Sequence, residues 1–469
     1  MNKLSPLFCA VTLALSASAA HASFDNFIGD STLDTKFRTI YYDMQMDYKK
    51  SFDPGIGATI DYDVEASIED LGASIWLNYQ SGWLFNMVGV ELGYQGAAIA
   101  FQDGTIDGTD TTFGGMANFS VPSVQFYQTD PDADTVGKLA NANLRLRLGD
   151  DDNNVQMKVG RFTPTIYDLL HRPDISYYAL STVYEGAQLA GDLTWDWGTI
   201  NPWFNYFSGF SSEHSTDTIQ FRDLDSNAQY DAFDAIYNVG FHTETDYFTA
   251  SASYSYAEDY LSNGILEVYS GVPLSMLGFN TNDDDYFIKY MLKYGMEKGL
   301  GTVNQDHATD VTEFAIGLQA GGLDFLVGIT QIGDDSFYGF ETQDGYNAGG
   351  GTAVWGDMAL LNTFKYASQQ TLFLVGGYNL NAFDLPNWRI QTTVAAGSDI
   401  DLGSLSAADA AAVNQADYTE TEIDLIYSHN GYQGEGLSVR LTYGQDNNFN
   451  AKGVGVWLEY NGDVLKAFD

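Results

Sequence analysis

The chain is short of cysteine, proline, basic charge and long apolar runs, and each shortage removes a class of protein. Its single cysteine, Cys9, falls in a segment that reads as an export signal. Lys3 is the positive start, Leu7 to Ala19 the apolar stretch and Ala20-His21-Ala22 a small-residue cleavage site. Residues 1–22 are therefore expected to be removed as a signal peptide. The mature chain, 23–469, would have no thiol chemistry and no disulfides. No later stretch approaches the roughly 18 uninterrupted apolar residues of a spanning helix, and the mean hydropathy is slightly polar at −0.18. Lys and Arg together number 20 against 63 Asp plus Glu, a formal charge of −43. Such a balance speaks for solubility of the exposed parts and against nucleic acid as a partner. Nine prolines stand beside 48 glycines, 31 Tyr, 29 Phe and 8 Trp, too aromatic and too glycine-rich for an ordinary acidic secreted protein.

What is present is alternation. In Asn143 to Leu148 the leucines Leu144, Leu146 and Leu148 share one face and Arg145 and Arg147 the other. Val155, Met157 and Val159 alternate with Gln156, Lys158 and Gly160, and Phe37, Thr39 and Tyr41 oppose Lys36 and Arg38. Lys289 and Lys293 oppose Ile288, Tyr290, Leu292 and Tyr294; Arg389 opposes Trp388 and Ile390; Arg440 opposes Val439 and Leu441. Period two with one apolar face is the pattern of a strand between two unlike media. Such segments recur from Leu33 to Tyr460, 17 to 19 of them. Some connections are short: Gln80-Ser81-Gly82, Gly321-Gly322 and Ser368-Gln369-Gln370, which would follow a strand at Leu360–Tyr366. Others are long: Gln102–Lys138, Ser208–Asp234, Gly333–Thr352 and Asp399–Thr419. Short turns at one rim and long loops at the other define an all-β fold, a transmembrane antiparallel β-barrel of about 18 strands in one domain. A propeller or solenoid would show a repeat, and none is visible.

A barrel in lipid must turn its charges inward, because nothing in hydrocarbon can satisfy them. The inward bases then form a predicted set: Lys36, Arg38, Arg145, Arg147, Lys158, Arg389 and Arg440. Inward acids such as Glu313, Glu422, Asp424 and Glu459 are their natural partners. Most other acids cluster in the connections. The connection after Val155–Pro164 is long, charged and aromatic, which is uncommon between two strands. It is expected to fold into the pore as a constriction built from Arg161, Tyr167, Asp168, Arg172, Asp174, Tyr177 and Tyr178. The tyrosines would pack on the wall or stack on a ring-shaped solute.

Three blocks resemble the OprD family of outer-membrane porins. Phe27-Ile28-Gly29-Asp30-Ser31 with Phe37-Arg38-Thr39-Ile40-Tyr41-Tyr42 is similar to the family's first strand. Tyr79-Gln80-Ser81-Gly82-Trp83 with Gly89-Val90-Glu91-Leu92-Gly93 is similar to its second hairpin. Val159-Gly160-Arg161-Phe162-Thr163-Pro164, with Glu185-Gly186-Ala187-Gln188-Leu189 after it, is the strongest match. The resemblance implies an 18-stranded barrel narrowed by an inward third loop, with a row of bases guiding solutes that carry a carboxylate. Where the family has a basic, asparagine-containing segment after Pro164, this chain has the tyrosine-rich Ile166 to Thr182.

Signals for catalysis are missing. The mature histidines are scattered, and there is no G-x-S-x-G and no phosphate-binding glycine loop. Asp223, Asp225, Asn227, Asp231 and Asp234 approach the spacing of a calcium loop, but Ala228 stands where the turn glycine belongs and Asp234 replaces the bidentate Glu, so a solvated loop is the preferred reading. No cofactor is expected. The expected protein is a passive channel in the outer membrane for amino acids, small carboxylates or short peptides, a monomer or homotrimer in lipid. The alternatives are a saccharide porin for chito-oligosaccharides or other sugar oligomers, and a soluble acidic adhesin.

Overall fold

The computed structural model describes residues 27–52, 60–106, 109–110, 135–150, 153–164, 180–211, 234–279, 286–301, 306–337, 366–403, 415–429, 436–448 and 450–463. Eighteen strands make its wall. They are β1 (Thr32–Phe52), β2 (Ile60–Gln80), β3 (Val88–Ile106), β4 (Thr135–Gly149), β5 (Asn153–Phe162) and β6 (Val183–Trp195). Next come β7 (Gly198–Ser211), β8 (Ile236–Thr245), β9 (Phe248–Ala257), β10 (Leu261–Pro273), β11 (Tyr286–Gly299) and β12 (Ala308–Ala320). The last six are β13 (Leu323–Ile332), β14 (Gln370–Asn379), β15 (Trp388–Ser398), β16 (Tyr418–Ser428), β17 (Gly436–Asp446) and β18 (Lys452–Asp463). A two-residue strand, Thr109–Asp110, pairs back onto the end of β3, while β3 itself runs against β4.

Every strand is antiparallel to the next, and β1 closes the sheet by pairing with both β2 and β18. Arg38 lies opposite Ser74 on one side and Glu459 on the other. Closure leaves no unpaired edge, which is the condition for a sheet to sit in hydrocarbon. An even strand count brings both ends of the wall to one rim. At that rim the connections are tight: Asp196-Trp197, Asp246-Tyr247 and Gly321-Gly322, the last with Gly321 at φ +59°, a backbone that favours glycine. At the opposite rim lie the long connections, over 107–134, 163–182, 212–235, 333–369 and 399–417. The long rim is not uniform, however: Glu258-Asp259-Tyr260 joins β9 to β10 in a three-residue turn.

One expectation fails here. β13 pairs directly with β14, so no wall strand stands between them. The predicted strand Leu360–Tyr366 lies outside the described residues except for Tyr366, which is not in a strand. Ser368-Gln369-Gln370 accordingly ends a long connection and is no hairpin turn. Its apolar alternation misleads because Tyr366 is buried inside the barrel, where an apolar residue has the same motive to appear as in a strand.

The alternation is otherwise borne out. Leu144, Leu146 and Leu148 are exposed on the outside while Arg145 and Arg147 are buried on the inside. Val155, Met157 and Val159, Tyr290, Leu292 and Tyr294, and Leu372 and Leu374 continue the outer apolar belt. Aromatic pairs ring the tight rim: Trp195 stacks on Trp197 with centroids 5.7 Å apart, and Trp388 meets Tyr427 at 5.2 Å. This is the interfacial girdle of a barrel in a membrane. A sandwich or propeller is excluded by the closed topology.

The interior is not simply polar. Phe162, Tyr184, Phe207, Phe210, Ile236, Tyr260 and Leu261 form a buried cluster at the long rim, with Tyr184 and Phe207 centroids 4.5 Å apart. A second cluster joins Trp203, Ile265, Met291, Val311, Ala315, Phe337, Tyr366 and Phe373. Large side chains buried this way each contribute about 1.5–3 kcal/mol, so these clusters fix whatever chain enters the lumen with them.

Candidate functional site: the lumen wall

The inward side chains fall into four sectors. On β1, β2 and β18, Arg38 donates from Nε (2.8 Å) and Nη2 (2.5 Å) to Oε2 of Glu459. Lys36 and Arg38 both lie over the ring of Trp76, at 4.7 and 5.3 Å from its centroid. Arg38 is 2 % exposed, so this pair is part of the wall.

On β2 to β5 the hub is Glu91. It takes hydrogen bonds from Asn78 (3.0 Å), Gln80 (3.3 Å) and Asn143 (3.1 Å) and an ion pair from Lys158 at 3.2 Å. Register brings Lys158 opposite Arg145. Arg145 Nη1 donates to Gln80 Oε1 and Nη2 to the Ser81 carbonyl. Arg147 donates to Asn86 Oδ1. Both guanidiniums stack on Trp83, 4.5 and 4.8 Å from its centroid, a cation–π arrangement worth about 0.5–2 kcal/mol. At 7 % and 8 % exposure, neither arginine is open to a passing solute.

On β6 to β9 the middle of the wall is a chain of neutral amides, with Asp192 nearer the tight rim accepting from Asn201 at 2.8 Å. Gln188 Nε2 donates to Asn205 Oδ1 (3.0 Å), and Asn205 Nδ2 donates to Asn238 Oδ1 (3.0 Å). Trp203 Nε1 donates to the same Asn238 oxygen (2.7 Å), and Asn238 Nδ2 donates to Ser255 (2.9 Å). These amides are buried and bonded to one another, which is how polar groups are kept inside without charge.

On β10 to β17 acids and bases alternate. Lys293 pairs with Glu267, both buried, and Tyr269 donates to the same carboxylate at 3.1 Å. Arg440 donates to Asp424 from Nε (2.8 Å) and Nη2 (3.0 Å) and also pairs with Glu422. Between these lies a group that is substantially open. Lys289 Nζ is 3.2 Å from Asp324, and Arg389 Nη2 is 3.5 Å from the same carboxylate. Their side chains are 36 %, 26 % and 31 % exposed for Lys289, Arg389 and Asp324. They line a cavity of about 770 Å³ with Tyr269, Phe287 and Gln391. Two cations around one carboxylate leave this group itself at +1, on a cavity that Arg440, Glu422 and Asp246 also line.

The predicted basic set is therefore three groups instead of one row. Lys36 and Arg38 sit together, Arg145, Arg147 and Lys158 sit together, and Arg389 and Arg440 border one cavity. Of the acids expected to pair with them, Glu459, Glu422 and Asp424 do so; Glu313 lies in register with Lys293 and accepts from Thr330 at 2.9 Å. Lys289 and Asp324 were missed as a site. Alternation shows Lys289 inward, but its exposure depends on which neighbours have large side chains, and that is a matter of register.

The third long-rim connection, 163–182, enters the barrel at both described ends. Thr163 N donates to Asn141 Oδ1 at 2.9 Å. Ser181 N donates to Gln95 Oε1 at 2.9 Å, and Gln95 Nε2 returns a bond to Ser181 Oγ at 2.6 Å. Phe162 and Tyr184 anchor its feet in the aromatic cluster. Tyr167, Asp168, Arg172, Asp174, Tyr177 and Tyr178 lie outside the described residues. Arg161 is corrected: it belongs to β5, across from Ala142 and Glu185, and is half-buried in the wall.

A second connection also enters the barrel, which the sequence did not show. After β13, the Phe337 ring packs over Gly295, where an added Cβ would lie 3.3 Å from it. Ala367 N donates to Ser336 Oγ at 3.2 Å, and Gln369 Nε2 donates to Tyr418 at 3.1 Å, so both described ends of 333–369 are held inside.

Of the calcium set, Asp223, Asp225, Asn227 and Asp231 lie outside the described residues. Among the described residues no three His, Cys, Asp or Glu are placed to hold a metal ion.

Closed antiparallel topology, an outer apolar belt with aromatic girdles and an inward charged wall define an outer-membrane porin fold. No protein-family model and no curated protein matches the chain. Among solved structures, that of OccK8 (OprE) of Pseudomonas aeruginosa matches over 94 % of this chain and 100 % of its own, at 14 % identity and a TM-score of 0.66. That of Pseudomonas aeruginosa OpdK with vanillate matches over 93 % and 100 %, at 14 % identity and 0.66. That of Acinetobacter baumannii OccAB2 matches over 94 % and 99 %, at 14 % and 0.62. These are porins of the OprD/Occ group, the group that the three sequence blocks resemble, and at such identities the likeness is one of fold.

Proposed function

We propose that the protein is a passive, substrate-selective diffusion channel of the outer membrane, with residues 1–22 serving as a removed signal peptide. Its solutes are small and hydrophilic: amino acids, small carboxylates or short peptides. The observation that carries this reading is the Lys289–Asp324–Arg389 group, which offers accessible, incompletely neutralised positive charge inside a cavity. Inward charge is how a pore selects. Arg38, Arg145, Arg147 and Arg440 are buried and act as structure. OpdK, which shares the fold, was solved with vanillate, a carboxylate, which agrees with this preference. Proteoliposome swelling tests it. Carboxylate-bearing solutes should enter faster than neutral sugar oligomers of similar size, and Lys289→Ala with Arg389→Ala should erase the difference. Faster entry of chito-oligosaccharides, or a carboxylate preference that survives both changes, would refute the reading.

A further inference from the structure

Arg389 and Asp324 are not on neighbouring strands. Arg389 is on β15 and Asp324 on β13, with β14 between them. Two strand spacings are roughly 9–10 Å, so the arginine can reach the carboxylate only by lying flat across the inner face of β14. The residue it crosses is Gly377, which is the register partner of Asp324. A Cβ added at Gly377 would stand 2.0 Å from Nη2, 2.4 Å from Cζ and 2.9 Å from Nε of Arg389. No side chain other than hydrogen is compatible with this path. The adjacent Gly376, on the opposite face, has nothing within 4 Å of an added Cβ.

We propose that Gly377 sets the charge selectivity of the lumen: its missing side chain is the recess in which Arg389 is parked, shared with Lys289 on Asp324 and held against the wall. The inference rests on the channel reading above and names the residue that tunes it. The guanidinium is the far end of a flexible chain, so a methyl at 377 displaces it without breaking the strand. The displaced cation leaves Asp324 and projects into the cavity, which makes the pore narrower and its field more positive. With Asp324 then serving Lys289 alone, the net charge of the group stays at +1, but it is carried by a guanidinium that stands off the wall and closer to the solute.

The test is planar-bilayer recording in dilute KCl of the full-length protein and its variants. Gly377→Ala should raise the anion-to-cation permeability ratio about two- to fivefold, as expected of moving one unit charge from about 10 Å to about 5–6 Å from a solute in a water-like medium, and lower the conductance. Gly376→Ala should leave both unchanged. In an Arg389→Ala background, Gly377→Ala should change neither, because the recess is empty. A Gly377→Ala channel indistinguishable from wild type would overturn the proposal, as would an equal shift in the Arg389→Ala background. If Gly377→Ala fails to assemble, the double variant Gly377→Ala/Arg389→Ala should restore assembly, and a double variant that also fails to assemble overturns it. A wild-type protein that gives no conductance refutes the channel reading instead.

Discussion

Replacing Asp324 by Asn removes one negative charge at nearly constant shape. Its carboxylate lies 3.2 Å from Lys289 and 3.5 Å from Arg389, so the group passes from a net +1 to a net +2. A solute ion in the cavity at about 7 Å from this point, in a medium as polar as water, feels a change of about 0.6 kcal/mol. Anions gain that amount and cations lose it, so the permeability ratio should rise about sevenfold in favour of anions. A drier cavity would enlarge the effect, since Coulomb energy scales inversely with the effective dielectric. Reversal potential under a KCl gradient reads the ratio directly. Screening should shrink the shift between about 0.01 M and 1 M salt, as the Debye length falls from about 30 to 3 Å. A conducting Asp324→Asn channel with an unchanged reversal potential, or one shifted toward cations, would refute the assignment of this group as the accessible charge.

Other consequences follow from the buried sectors. Lys293→Met strands the buried carboxylate of Glu267 and should lower resistance to urea or heat by about 3–5 kcal/mol, read by the mobility shift of folded against unfolded barrel. Arg145→Ala combined with Arg147→Ala removes two cations stacked on Trp83; carboxylate entry should stay within about twofold of wild type while stability falls, since cation–π contacts contribute about 0.5–2 kcal/mol each. A collapse of carboxylate entry with stability intact would show instead that these arginines face the solute. Asn238→Ala leaves Trp203 Nε1 and Asn205 Nδ2 without their acceptor and should cost about 1–3 kcal/mol per orphaned group, with selectivity unchanged in bilayer recording.

The wall was legible because a barrel imposes one rule on every residue. Leu144, Arg145, Leu146 and Arg147 can be sorted into outward and inward by counting in twos, and the structure sorts them the same way. What alternation cannot give is depth and neighbourhood. Arg145 and Arg389 look alike in sequence, each an inward arginine in an apolar strand. One is covered by Trp83 and the chain at Gln80 and Ser81; the other faces a cavity. That difference comes from cross-strand register, and so does Gly377, which is a bare glycine in Gly376-Gly377 until Arg389 is seen lying over it. The inward turn after β13 was hidden for a related reason. Tyr366 ends the apolar run from Leu360, and an apolar residue bound for a lumen cluster reads the same as one bound for a strand.

The central claim is that this barrel encloses a conducting path whose open charge is the Lys289–Asp324–Arg389 group. Single-channel recording of the wild-type protein beside Lys289→Ala/Arg389→Ala tests it most directly. Discrete ohmic steps are expected in both. The double variant should have the lower anion-to-cation ratio and lose block by small carboxylates. Absence of steps from the folded wild-type protein, or an identical ratio and identical block in the two, would contradict the account.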